Sequence, residues 1–169
     1  MIIFVVTKLL APQFFVSNVQ TMRADVLFGL PYGELDRLSD LVVGVDSLPG
    51  SQSAEEAFLH GMCEAGQGAA QCSLATADYR EKMWAMKSVQ GLVGLLHLDQ
   101  DSFAPKHANG QSYSGFNFTN IPEGISHAYS DRGPDGSLKR ELIERSRALI
   151  QSYEAFSNGC VRSGLKGIR

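Results

Sequence analysis

Two short stretches of this chain hold the residue types from which a reactive site could be built. His60-Gly61-Met62-Cys63 sets an imidazole three residues from a thiol, which on a helix places both on one face. A neighbouring imidazolium lowers the pKa of a thiol and turns it into a nucleophile or a metal ligand. The second stretch, His97-Leu98-Asp99-Gln100-Asp101, is the densest gathering of imidazole and carboxylate groups, with His107 following shortly after and His127 further on.

Each stretch also has an ordinary explanation. Catalytic thiols favour helix N-termini in electropositive surroundings, whereas Cys63 falls within an acidic segment, so a buried, inert cysteine is the leading expectation. Cys63 and Cys72 flank Gly66-Gln67-Gly68, and a bend there would bring them within disulfide reach. His97 and Asp99 suit the polar last turn of a buried helix. A metal needs three or four converging donors, and His97, Asp99, Asp101 and His107 are the only set the sequence nominates. HExxH, a CxxC pair and a complete calcium loop are all missing from the sequence, so no metal and no cofactor is expected. The catalytic candidates are therefore His107, His127, Asp99, Cys63 and His60, none supported by a complete motif.

Other chemistries fare no better. Carboxylate pairs such as Glu34 with Asp36 or Asp99 with Asp101 arise by chance in a chain with 18 acids. Gly66-Gln67-Gly68 lacks the third glycine and the preceding strand of a dinucleotide loop, and the chain contains no GxSxG nucleophile elbow. Asn117-Phe118-Thr119 fits a glycosylation acceptor that only an exported eukaryotic chain would use.

The elements that must position these residues read as helices. In Gln13–Leu30 the apolar residues recur every three or four positions, and Pro31 closes that run. Pro31 then opens a helix whose stripe is Leu35, Leu38, Leu41, Val42 and Val45, with Glu34, Asp36, Arg37 and Asp40 facing water. A turn follows at Leu48-Pro49-Gly50-Ser51. Ser53 with Glu55 and Glu56 signals a further helix carrying Ala57, Phe58, His60, Met62 and Cys63.

Met83–Leu98 is apolar nearly all round and should be central, with Gly91 and Gly94 marking the close passage of another backbone. Ser137 or Asp135 caps a last helix with the stripe Leu138, Leu142, Leu149, Tyr153 and Phe156. The pairs Arg140–Glu144 and Glu141–Arg145 support it, and Asn158-Gly159 ends it. The expected fold is a mainly helical single domain, a bundle of about five helices around residues 83–98. Residues 99–136 form a long aromatic and glycine-rich excursion with at most minor β structure, within which Gln111–Ile121 suits a short strand. Residues 160–169 read as a solvated basic tail.

Composition bounds the rest. A chain of 169 residues, 44% apolar with a net charge of -3, can bury a core and gives no global reason to bind nucleic acid. Lys8 and Pro12 divide the apolar Met1–Val16 run, so no transmembrane segment is expected. The same run leaves a cytoplasmic location ahead of export behind an atypical signal. Glu34–Asp78 is acidic and Pro134–Arg169 basic. The functional expectation is a non-enzymatic accessory protein: a subunit, inhibitor or adaptor. It would recognise a protein partner, or a second copy of itself, through acidic helix faces and through Tyr113, Phe116, Phe118 and Tyr129. The alternative is a small hydrolase with a His/Asp site, with Cys63 as a further candidate, built around residues 97–131.

Overall fold

The computed structural model describes residues 30–51, 53–104, 107, 112–113 and 136–167. Among them are five α-helices: α1 (Tyr32–Gly44), α2 (Ala69–Ala85), α3 (Val89–Asp101), α4 (Gly136–Phe156) and α5 (Cys160–Gly167). Two short 3-10 turns, Val45–Ser47 and Ala57–His60, lie between α1 and α2. Strands β1 (Cys63–Glu64) and β2 (Ser112–Tyr113) pair in parallel, Cys63 opposite Ser112 and Glu64 opposite Tyr113. The mainly helical architecture expected from periodicity is the architecture found.

α3 is the hub. Val89 and every residue from Gly91 to Asp99 are buried, and α1, α2, α4 and α5 all pack on this helix. The core joins Leu35, Leu38 and Val42 of α1, Leu92, Leu95 and Leu96 of α3, Ile150 and Tyr153 of α4, and Val161 and Leu165 of α5. Burial of this apolar surface, at about 25 cal/mol per Å², is what holds so many short helices together.

The apolar run read as one helix from Met83 is divided. Lys87 adopts a left-handed φ of 46°, and Ser88 caps α3 by accepting a hydrogen bond from the Gly91 amide at 3.3 Å. The chain reverses there, so α2 and α3 form an antiparallel hairpin: Gly91 faces Met83, while Gly94 faces Met83 and Tyr79. A Cβ on Gly91 would overlap the Met83 carbonyl and the Tyr153 hydroxyl, which is the close backbone approach the two glycines imply. Tyr153 latches the reversal from α4. Its hydroxyl donates to the Met83 carbonyl at 2.9 Å and accepts from the Ser88 amide at 3.1 Å.

Other expectations need correction. No helix spans Ser53–Cys63; a 3-10 turn ends at Gly61, whose φ of 69° stops it, and the chain then enters β1. Glu34 is buried rather than water-facing. On α4, Leu142 and Tyr153 are buried as expected and Leu149 is partly buried, but Leu138 and Phe156 stay exposed while Ile150 fills the core. Arg145 reaches across to Asp99, and Glu144 pairs with Arg147, in place of the i,i+4 pairs. Residues Cys160–Gly167 form α5, whose Val161 and Leu165 are fully buried, so most of the expected basic tail is a helix anchored to the core by two side chains. The apolar Met1–Val16 run and most of the Gln13–Leu30 helix expected from periodicity lie outside the described residues.

Candidate metal centre

The hairpin determines what meets what. α3 runs back along α2, so its C-terminal turn, with His97 and Asp101, returns toward the level of the first turn of α2. One i,i+4 step on α3 puts His97 and Asp101 on a common face. The 3-10 turn Ala57–His60 packs on both helices of the hairpin and brings His60 to that face. The turn Val45–Ser47, directly after α1, brings Asp46. His107 comes from the chain beyond α3.

Their polar atoms converge. Asp101 Oδ2 lies 2.7 Å from His60 Nδ1, 3.3 Å from His97 Nε2 and 3.3 Å from His107 Nδ1. His97 Nε2 is 3.1 Å from His60 Nδ1, and Asp46 Oδ1 is 3.7 Å and 3.8 Å from these two nitrogens. The histidine side chains are only 3–4% exposed, whereas Asp101 is 20% and Asp46 37% exposed, so the carboxylate side of the cluster faces solvent.

Hydrogen bonding fixes where the protons are. His60 Nε2 lies 3.0 Å from the Ser51 carbonyl oxygen, which can only accept, so Nε2 carries a proton and donates it. Nδ1 lies 2.7 Å from Asp101 Oδ2, also an acceptor, so without a cation it too carries a proton; with an ion in place of that proton the ring would present the Nδ1 lone pair, as a carbonyl-anchored metal-binding histidine does. His107 Nδ1 lies 3.3 Å from both the His60 carbonyl and Asp101 Oδ2, two acceptors, so it donates and steers the Asp101 carboxylate. Asp46, His60, His97 and Asp101 bring their polar atoms together: His60 Nδ1 and His97 Nε2 each lie within 3.8 Å of both Asp46 Oδ1 and Asp101 Oδ2.

Such a convergence is unfavourable unless a positive charge fills it. For a first-row ion with donors at about 2.0–2.1 Å, neighbouring donors sit about 3.3 Å apart in a tetrahedron and about 3.0 Å apart at right angles. The separations found, 2.7 to 3.8 Å, bracket both values. When no cation is present, a proton must serve. Burial disfavours charge on His60, but the hydrogen bond and charge of Asp101, the charge of Asp46 and the Ser51 carbonyl outweigh it and raise its pKa above the ordinary imidazole value. Burial likewise opposes ionisation of Asp101, yet His97, His107 and His60 hold its carboxyl well below the usual carboxylate range.

The nominated residues therefore separate. His97, Asp101 and His107 belong to the cluster, and so does His60, nominated only for catalysis. Asp99 does not: it is buried on another side of α3, ion-paired with Arg145, which stacks over Phe103. Burial raises the Asp99 pKa, with Arg145 and Arg80 opposing. Cys63 is joined to Cys72 in a disulfide, with Cα atoms 5.1 Å apart, so it offers no thiol. Cys160 is a free, exposed thiol. Tyr113 is buried against Ala57 and Met62 and does not project as a recognition side chain. Phe116, Phe118, Tyr129 and His127 lie outside the described residues.

Asp46 was missed altogether. It carries no spacing signal, because it meets the histidines only after α1 has placed the turn that holds it. Among the described residues, no helix is long and apolar enough to cross a membrane. Fold and site together define a helical domain with a His–Asp cluster centred on one end of its central hairpin. Comparison with protein-family models, with curated proteins and with solved structures finds no match to the chain.

Proposed function

We propose that this protein binds one divalent first-row transition metal ion through Asp46, His60, His97 and Asp101, with His107 orienting Asp101. One observation carries the reading: two imidazole nitrogens and two carboxylate oxygens gather at separations of 2.7 to 3.8 Å, which bracket the edges of such an ion's coordination shell. The mixed imidazole and carboxylate set suits zinc, iron, manganese or nickel and disfavours cuprous ion, which prefers sulfur. Burial of the imidazoles provides the dry wall that strengthens these bonds, and the exposed carboxylates provide the way in.

A hydrolytic role is the second reading, supported by the solvent-facing side of the cluster. An ion reached by water lowers the pKa of that water, which is the chemistry a small hydrolase needs. The Cys63–Cys72 disulfide supports work in an oxidising compartment, in line with the export alternative rather than the cytoplasmic one.

The test is metal analysis of protein purified without a histidine tag, followed by Zn²⁺ titration calorimetry. About one ion per chain is the expected uptake. His97→Ala should abolish it. Negligible uptake by the wild-type protein overturns the proposal.

A further inference from the structure

We infer that the Cys63–Cys72 disulfide governs retention of the ion: oxidised protein holds it, and reduction of this bond weakens the hold. The inference rests on the metal-binding reading above. It follows from how unequally the four ligands are supported. His97 and Asp101 belong to α3, the most enclosed helix of the fold. Asp46 sits in a turn continuous with α1. His60, by contrast, closes a four-residue 3-10 turn within a stretch from Leu48 to Gly68 whose described residues hold no α-helix, and only two-residue β1 besides.

Apart from one bond, that stretch is held by non-covalent ties: the 3-10 turn packs on α2 and α3, His60 Nδ1 lies 2.7 Å from Asp101 Oδ2, and the His60 carbonyl accepts from His107. Phe58 meets the Tyr79 ring edge-on at 5.5 Å, and Ala57 and Met62 share a small apolar cluster with Tyr113. β1 pairs with β2 over two residues, and the Ser51 carbonyl receives the His60 ring proton. The covalent tie is the disulfide, three residues beyond His60. Three residues of chain reach at most about 10 Å, so whatever restrains Cys63 also restrains His60. Cys72 lies near the start of α2, which packs on α3. The disulfide therefore pins the His60 segment to the same helical pair that carries His97 and Asp101. Without it, the His60 segment is held by non-covalent contacts alone, part of its ordering must be driven by the ion, and affinity falls accordingly.

The reaction is ordinary thiol–disulfide exchange with a small or protein-borne dithiol. Its two sulfurs become a disulfide, the Cys63–Cys72 bond breaks, and two electrons and two protons pass to give two cysteine thiols. Coupling is reciprocal, so bound ion must make the disulfide harder to reduce by the same factor that the disulfide tightens the ion.

The experiment uses the full chain with Cys160→Ser, so that no third thiol interferes. Zn²⁺ affinity is measured by chelator competition for the oxidised protein and for Cys63→Ser/Cys72→Ser, which has no thiol of its own to offer the metal. The expected result is a Kd about 10- to 100-fold higher in the double-serine protein, the range seen when support behind a metal ligand is lost. Equal affinities overturn the inference. Should the double-serine protein fail to fold by circular dichroism, the disulfide potential of the Cys160→Ser protein decides. Measured in glutathione buffers at fixed free Zn²⁺, it should lie about 30–60 mV more negative than without the ion, the same factor converted at about 30 mV per tenfold. An unchanged or less negative potential overturns the inference. Failure of the oxidised protein to bind Zn²⁺ at all is a different result, and it removes the metal centre rather than its redox control.

Discussion

Replacing Asp101 by asparagine separates a metal centre from a merely structural hydrogen-bond network. The substitution keeps the shape and removes the charge of the oxygen that sits within 3.3 Å of all three imidazoles. In either case the metal-free protein loses charge-assisted hydrogen bonds to partly buried groups, at a cost of about 1–3 kcal/mol. The increment produced by metal is what distinguishes them. Loss of a group that merely supports a ligand lowers affinity about 10- to 100-fold, so loss of an anionic ligand should reach at least the upper end.

At free Zn²⁺ a hundredfold above the wild-type Kd, binding stabilises the folded state by about 2.7 kcal/mol, and a hundredfold weaker site retains about 0.4 kcal/mol. For a chain of this size each kcal/mol moves Tm by about 2–4 °C. Zn²⁺ should thus raise the wild-type Tm by about 5–11 °C and that of Asp101→Asn by about 1–2 °C. Differential scanning calorimetry with Zn²⁺ and with EDTA reads both. Asp99→Asn is the control, because Asp99 faces Arg145 rather than the cluster, and it should keep the full zinc increment. An equal zinc increment in wild type and Asp101→Asn would refute the assignment of Asp101 as a ligand. No increment in either protein would refute the centre itself.

Further consequences follow from the packing. Tyr153→Phe should destabilise the fold by about 1–3 kcal/mol in urea denaturation, since the Met83 carbonyl and the Ser88 amide both lose the same hydroxyl. Gly91→Leu should cost more than about 3 kcal/mol or prevent folding, because its side chain has to displace backbone at Met83; soluble expression and circular dichroism will show it. Leu165→Ala should lower stability by about 2–5 kcal/mol, a result a solvated tail could not give. His107→Ala should weaken Zn²⁺ binding by about 10- to 100-fold without abolishing it, as befits a group that orients a ligand, and calorimetric titration distinguishes the two outcomes.

What was legible in the sequence was what local periodicity writes. The existence of α4, the burial of Leu142 and Tyr153 and the Asn158-Gly159 ending follow from spacing and from left-handed φ values of 53° and 81° that these residue types tolerate, whereas Leu138 and Phe156 of the expected stripe stay exposed. The enclosure of α3 follows from its run from Val89 to Leu96, in which Gln90 alone is polar. Its beginning did not, because the break falls on Lys87, a residue with no conformational signature. Ser88, three residues ahead of the Gly91 amide that it caps, was the available signal. His97, Asp101 and His107 were visible because imidazole and carboxylate groups crowd one stretch of sequence, but crowding could not tell Asp101 from Asp99, which faces Arg145. His60 lies 37 residues before His97, on an element where helical spacing led to the wrong neighbour, and Asp46 carries no pattern at all. Sites assembled by tertiary contact leave no period to read.

The glycines at the crossing of α2 and α3 have a bearing on how the cluster can breathe. With Gly91 and Gly94 pressed against Met83 and Tyr79, those two rods interlock, and prising them apart would expose much of the interior at once. Transient opening is cheapest in segments with few apolar contacts and little regular hydrogen bonding. On the metal-binding proposal, an ion would reach the imidazoles from the side of the Asp46 and Asp101 carboxylates, while the paired helices behind stay shut.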